Sequence, residues 1–261
     1  MNQFDCIRFE IEGAIARIAL RRPDAAHGLN SQMARELKQA AKLCDQDPQI
    51  KVVVLSAQGR FFCAGGDLRE MLSHGDAIGD AAQALADDFH AAIALFANMQ
   101  AVLIIAVNGV AAGGGFSLAL IGDIVLAAES ASFTMAYTRA GLCPDGASSY
   151  FLPRLVGLRR AQELMLTNRT LSAAEACAMG MVTRVVADAE LQQEADRLAQ
   201  QLAAGARLSN AYVKKLLLAG AVNDLAAQMA LEGQLLSRCA ASPDGREGIQ
   251  AFFDKRKPEF E

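Results

Sequence analysis

Asn108-Gly109-Val110-Ala111-Ala112-Gly113-Gly114-Gly115 follows an unbroken apolar run at 102–107, and Phe62-Cys63-Ala64-Gly65-Gly66-Asp67-Leu68 follows a similar run at 52–55. Each reads as a strand, a turn of small residues and the opening of a helix. Small residues let a ligand come close to the backbone, and the first N–H groups of a helix have no partner within it. Each turn therefore offers a free donor. If the fold brings the turns together, two N–H groups can converge on one carbonyl oxygen and stabilise the charge that develops there. The simpler alternative is that each cluster only makes a tight strand-to-helix connection. Two phosphate-binding readings fail outright. A dinucleotide fingerprint continuing from Gly113 and Gly115 needs glycine or alanine where Leu118 stands, and no G-K-[ST] follows either turn.

Outward from the turns, apolar runs at 7–11, 14–20, 52–55, 102–107, 124–127 and 181–186 predict strands, while 31–44 and 80–99 carry helical spacing. Strands alternating with helices predict an α/β core with a largely parallel sheet. Beyond about residue 190 the pattern is helical throughout, at 189–204, 208–218, 224–239 and 246–255, with breakers at Gly205, Gly220 and Pro243. The expected division is 1–190 as the α/β core carrying the site and 191–261 as a helical region whose apolar faces need a partner surface.

Composition narrows the function class. The chain has 261 residues, 52% of them apolar, enough for a sizeable core without staples. Its net charge of −4 gives no basic footprint for nucleic acid. No apolar run of membrane-spanning length lacks polar interruption, and no secretory leader is evident, so a cytoplasmic protein is expected. The six cysteines are scattered without a C-x-x-C pair or a histidine cluster, which predicts reduced thiols and no metal site.

The two turns, together with Gly141-Leu142-Cys143-Pro144-Asp145-Gly146 leading into Tyr150-Phe151-Leu152-Pro153-Arg154-Leu155-Val156-Gly157, resemble the enoyl-CoA hydratase/isomerase (crotonase) superfamily. The likeness runs from Leu20-Arg21-Arg22-Pro23-Asp24 to Phe253-Asp254-Lys255-Arg256-Lys257-Pro258. It implies a spiral of strand-strand-helix repeats, a C-terminal helical trimerisation region, and a homotrimer or dimer of trimers acting on an acyl-CoA thioester. CoA is then part of the substrate, and no separate cofactor is expected. The resemblance makes Gly66 and Gly114 the oxyanion donors. It lays the pantetheine and adenine along Arg22, Ala25 and Ala26, with Ala64, Asp67, Leu68, Ser117 and Tyr137 near the substrate. His27 stands where asparagine is common. Arg21, Arg22 and Arg69 are candidate phosphate ligands, as are Lys255, Arg256 and Lys257 toward a neighbouring subunit, unless they simply form a solvated charge face.

The acid/base groups choose the reaction. Hydratases of this superfamily use two glutamates; the matching positions here hold Ser117 and Tyr137, and a hydroxyl is a poor general base near neutrality. Asp145 remains. Pro-Asp-Gly is by itself a turn signal, but acyl-CoA isomerases of the superfamily, including those of phenylacetate degradation, carry a proton-transferring aspartate in this setting. Double-bond isomerisation is therefore the leading expectation. His90 and Asp145 also resemble the histidine and nucleophilic aspartate of 4-chlorobenzoyl-CoA dehalogenases, although Tyr137 replaces their tryptophan and Gly66 their phenylalanine. Hydrolytic dehalogenation is the second expectation. Hydration, thioester hydrolysis at Gly115-Phe116-Ser117-Leu118-Ala119, and CoA-ester binding without catalysis follow.

Overall fold

The computed structural model describes residues 4–260. The chain opens with a hairpin, β1 (Ile7–Glu12) and β2 (Ile15–Leu20), followed by α1 (Ser31–Gln46). Asn30 caps α1 by accepting from the Met33 N–H at 2.8 Å. Glu36, buried on α1, accepts the backbone N–H groups of Asp5, Cys6 and Ile7 and ties the first strand down.

Three strand pairs then repeat one pattern. β3 (Val52–Ala57) leads to β4 (Phe61–Cys63), α2 (Leu68–Ser73) and α3 (Ile78–Asn98). β5 (Val102–Val107) leads to β6 (Val110–Ala112) and α4 (Gly114–Leu120). β7 (Ile124–Ala128) leads to β8 (Ser132–Thr134), α5 (Ser148–Val156) and α6 (Leu158–Thr167). A last unit holds β9 (Leu171–Ser172), α7 (Ala173–Ala178) and β10 (Arg184–Val186). The first strand of each pair joins a six-stranded sheet ordered β1-β2-β3-β5-β7-β10, parallel apart from the opening hairpin. The second joins a four-stranded sheet ordered β4-β6-β8-β9, in which only β9 runs antiparallel. This is the strand-strand-helix spiral, and it places both glycine turns at the same end of the small sheet, after the adjacent strands β4 and β6.

The core lies between the large sheet and the helices. β5 is buried at every residue, as an apolar run covered on both faces should be. On α3, Leu85, Phe89, Ala92, Ile93 and Phe96 recur at helical spacing and are buried, and α3 packs along α1.

Four helices complete the chain: α8 (Leu191–Ala203), α9 (Arg207–Gly220), α10 (Leu225–Ala241) and α11 (Pro243–Asp254). Pro243 does not interrupt a helix but starts one. It occupies the first turn of α11, where a missing N–H costs nothing, and Ser242 caps it by accepting from Gly245 N–H at 3.0 Å. Helix α8 lies on β2, β3, β5 and β7, whereas α10 packs on α9 and α11. Leu217, Val222, Leu225, Leu236, Phe252 and Phe253 on and between these last helices are exposed. The 181–186 run forms a strand only from Arg184, because the N–H groups of Met181 and Val182 turn back to the Ala176 carbonyl.

Lys214 fastens α9 to the core. Its ammonium is buried, 2.9 Å from Asp123 Oδ2 and 2.9 Å from the Phe96 carbonyl, while the same carboxylate oxygen accepts the Leu103 N–H at 2.7 Å. Burial pushes the lysine pKa down and the aspartate pKa up, each opposed by the partner's charge. Lys214→Met removes the ammonium's bonds to Asp123 and to the Phe96 carbonyl, while the partly exposed Asp123 keeps the Leu103 N–H, so the unfolding free energy should fall by about 2 kcal/mol, measured by urea titration. An unchanged midpoint would show that the pair does not hold α9.

Candidate active site

The two glycine turns meet. A Cβ on Gly115 would lie 2.2 Å from the Cys63 carbonyl oxygen, and one on Gly65 would lie 3.0 Å from the Ala112 carbonyl and 3.4 Å from Gly113 Cα. Gly65 (φ +99°) and Gly113 (φ +49°) also need conformations that side chains disfavour. The segment before α1 runs beside the first turn: Leu29 N–H donates to Gly65 O at 2.7 Å, Asp67 N–H to Leu29 O at 2.8 Å, and Ala64 N–H to Ala26 O at 3.0 Å. These bonds skip the Gly66 N–H. Gly114 is the first residue of α4, whose first internal bond is from Ser117 N–H to Gly113 O. Among the described residues, neither Gly66 N–H nor Gly114 N–H has a protein acceptor, and both glycines line one cavity of about 330 Å³.

Opposite the turns, Asp145 lines the same cavity. Its Oδ1 accepts from the Tyr137 hydroxyl at 2.5 Å, and its backbone carbonyl accepts from Ser117 Oγ at 2.9 Å and Ser148 Oγ at 2.9 Å. Ser117 is fully buried, 3.0 Å from the Tyr137 hydroxyl. It lies on α4, so the helix that presents Gly114 N–H also pins Asp145. Gly146 (φ +59°) allows this approach, because a Cβ there would sit 2.6 Å from Phe89 and 2.8 Å from Ser117 Cβ. Burial first, and then the neighbouring Asp145 charge, push the Tyr137 hydroxyl far above its ordinary pKa, so it stays protonated and donates. His90 Nε2 accepts the Gly146 N–H at 3.1 Å and lies 3.4 Å from Asp145 Oδ2.

The residues expected at the site fall into groups. Gly66, Gly114, Ala64, Leu68, Tyr137 and Asp145 line the cavity. Ser117 and His90 contact Asp145 from outside its lining. The Arg22 guanidinium is not free: it donates to Gly28 O and pairs with Asp67 Oδ2 at 3.0 Å. Burial raises the Asp67 pKa, but Arg22 and the N–H groups opening α2 more than offset this and hold it below the usual carboxylate value. Ala25 is exposed and Ala26 half-buried on the loop beside the first turn; Arg21, just after β2, and Arg69, on α2, are also exposed. Lys255 is exposed at the end of α11, and Arg256 pairs with Glu247 and Asp254. Leu29, Met71, Leu85, Phe89 and Cys143 also line the cavity, although sequence reasoning did not select them. Leu85 and Phe89 carry only the signal of core positions on α3. Among the described residues, no cluster of three or more His, Cys, Asp and Glu is placed to hold a metal ion, and no helix is long and apolar enough to cross a membrane.

A family model described as enoyl-CoA hydratase/isomerase matches residues 10–261. The chain belongs to this family. It is therefore an acyl-CoA enzyme of the crotonase type. A probable enoyl-CoA hydratase of Rhodobacter capsulatus is 38% identical over 98% of both chains. The 1,2-epoxyphenylacetyl-CoA isomerase of Escherichia coli K12 is 36% identical over 96% of both. The crystal structure of an enoyl-CoA hydratase from Polaromonas superposes with a TM-score of 0.92 at 34% identity, covering 98% of this chain and 99% of that one.

His27, in the loop beside the first turn, is structural. It is fully buried, with Nδ1 accepting from Arg22 N–H at 2.9 Å and Nε2 donating to the Gln58 carbonyl at 2.7 Å. Burial, opposed by the Gln58 carbonyl and assisted by the Arg22 charge, holds its pKa below the ordinary 6.5. Between those two pKa values the unfolded chain binds the extra proton, so stability falls as pH drops from 6.5 toward the folded value. Urea unfolding across that window should show a shallower pH slope for His27→Gln than for the wild type. An equal slope would contradict a neutral, buried His27.

Proposed function

We propose that the enzyme shifts the double bond of an enoyl-CoA thioester by proton transfer through Asp145, with the thioester oxygen held between Gly66 N–H and Gly114 N–H. The observation that carries this reading is that Asp145 is the only carboxylate among the described residues that line the cavity. Two-carboxylate hydration lacks its second member, because Tyr137 is held protonated and Ser117 spends its hydroxyl on the Asp145 backbone. One carboxylate suffices for isomerisation. It takes a proton from the α- or γ-carbon, the C–H electrons pass into the conjugated thioester, and the dienolate oxygen meets the two N–H groups. The O–H proton then returns at the other carbon. Tyr137 occupies Oδ1 and leaves Oδ2 as the basic oxygen. Leu29, Met71, Leu85 and Phe89 make an apolar wall around the acyl group. No cofactor enters, since each step moves only protons. CoA follows the loop carrying Ala25 and Ala26, with Arg21 and Arg69 toward its phosphates.

His90 beside Asp145 Oδ2 favours one second reading, nucleophilic attack of Asp145 on a halogenated benzoyl-CoA. In that case Asp145→Asn should abolish halide release from 4-halobenzoyl-CoA. Isomerisation predicts instead that Asp145→Asn cuts both the double-bond shift and deuterium uptake from solvent by about a thousandfold, followed by mass spectrometry. Halide release without deuterium exchange into any enoyl-CoA would reverse the preference.

Gly114 permits a clean test of the donor. Proline is tolerated at the first position of a helix but lacks the N–H, whereas Gly114→Ala adds a Cβ against Leu29 and keeps it. Gly114→Pro should turn over about 100- to 1000-fold more slowly than Gly114→Ala. Equal rates in the two folded variants would remove Gly114 from the oxyanion site.

The exposed apolar side chains of α9 to α11 form, in this proposal, the contact between copies in a trimer or a dimer of trimers. Light scattering at micromolar concentration should give the mass of three or six chains. A fully active monomer would contradict the assembly.

A further inference from the structure

Leu29 touches both glycine turns. Its backbone forms an isolated parallel bridge with Gly66: Leu29 N–H donates to Gly65 O at 2.7 Å, and Leu29 O accepts from Asp67 N–H at 2.8 Å. A trans peptide points its C=O and its N–H in opposite directions. With Gly65 O turned to Leu29, the Gly66 N–H of the same peptide is turned away from it, which leaves this donor free for the cavity that Gly66 lines. A carbonyl that accepts a hydrogen bond also polarises its peptide and strengthens the N–H on the other side. The 113–114 peptide is arranged alike, since Gly113 O accepts from Ser117 N–H at 3.0 Å.

The Leu29 side chain reaches the second turn. A Cβ on Gly114 would lie 2.6 Å from Leu29 Cδ1, so this methyl group fills the space beside Gly114 Cα. Leu29 is only 1% exposed, and the residues around it in the chain are themselves tied down. Gly28 O accepts from the Arg22 guanidinium, the His27 ring is held between Arg22 N–H and Gln58 O, and the Asn30 side chain caps α1. A single fixed residue thus meets each donor-bearing glycine, Gly66 through its backbone and Gly114 through its side chain.

We infer that Leu29 is a positioning residue: its N–H aims the Gly66 N–H, and its Cδ1 fixes how far Gly114 stands from the first turn, so that the two donors converge on one thioester oxygen. This inference rests on the oxyanion assignment of Gly66 and Gly114, and it goes beyond the apolar wall to which Leu29 also belongs. Leu29 makes and breaks no covalent bond. It acts through geometry, where a misplacement of about 1 Å can cost about 100-fold in rate.

The test saturates the full-length enzyme with butyryl-CoA labelled with ¹³C at the thioester carbonyl and reads the bound carbonyl stretch by infrared difference spectroscopy, a readout that does not depend on which reaction follows. Leu29→Ala empties the space beside Gly114 and should lose about half of the frequency lowering seen in the wild type. Its kcat for enoyl-CoA isomerisation should fall about 10- to 100-fold while KM stays within about threefold. Leu29→Met refills the space and should restore both. Leu29→Val, a smaller truncation, should move both in the direction of Leu29→Ala and serves where the larger cavity prevents folding. Adding Gly114→Ala to Leu29→Ala places a methyl group close to the vacated Cδ1 and should recover part of the lost shift, a coupling that two independent sites would not show. A Leu29 that served only as a wall for the acyl group would raise KM and leave the carbonyl frequency unchanged. That result in folded variants would overturn the positioning role alone, whereas a wild-type enzyme whose bound carbonyl matches the ester in water would overturn the oxyanion assignment and this inference with it.

Discussion

Backbone meets backbone where the turn after β4 touches the turn after β6. Gly115 abuts the Cys63 carbonyl, and Gly65 lies against Ala112 and Gly113, so no side chain larger than hydrogen fits at the contact. The contact is possible because β4 and β6 are parallel neighbours in the small sheet, each fed by a strand of the large sheet. Sheet order thus fixes the lateral spacing of the turns and glycine fixes how closely they approach. With those two constraints met, the Gly66 and Gly114 N–H groups are left unpaired beside one cavity. An unpaired buried donor is costly unless water or a ligand accepts from it, which is how a fold comes to hold strain at a functional site.

The carboxylate is placed by the same short helix. Gly114 and Ser117 are one turn apart on α4, so a single rigid element presents an N–H to the cavity and holds the Asp145 carbonyl from behind. Tyr137 fixes the carboxylate's rotation through Oδ1, and Gly146 lets the turn settle against Phe89 and Ser117. Ser117 and Tyr137, which the resemblance matches to the glutamate positions of hydratases, both support a single aspartate in this structure. Chemistry in this fold can therefore change by exchanging a few side chains around a backbone device that stays in place.

Much of this was legible in the sequence, for identifiable reasons. The long strands β1, β2, β3, β5 and β7 carry continuous or alternating apolar runs, and α1 and α3 repeat apolar residues at helical spacing. Strands β4, β6, β8 and β9 have two or three residues each, too few for a period, and their sheet exists only through tertiary pairing. Pro243 reads as a breaker unless Ser242 is recognised as a cap. The glycine turns and Asp145 stand out as motifs. That Ser117 would face the Asp145 backbone, that Arg22 would be engaged by Asp67, and that His27 would be a buried support could not be read from spacing, because each depends on segments far apart in the chain.

Convergence of two N–H groups on one thioester oxygen is the central claim, and the carbonyl stretch of a bound acyl-CoA reports it directly. Infrared difference spectroscopy with a ¹³C-labelled thioester carbonyl should show the bound stretch at lower frequency than the same ester in water, with most of the shift lost in Gly114→Pro and kept in Gly114→Ala. A bound carbonyl whose frequency matches that in water, in an enzyme saturated with the ester, would contradict it.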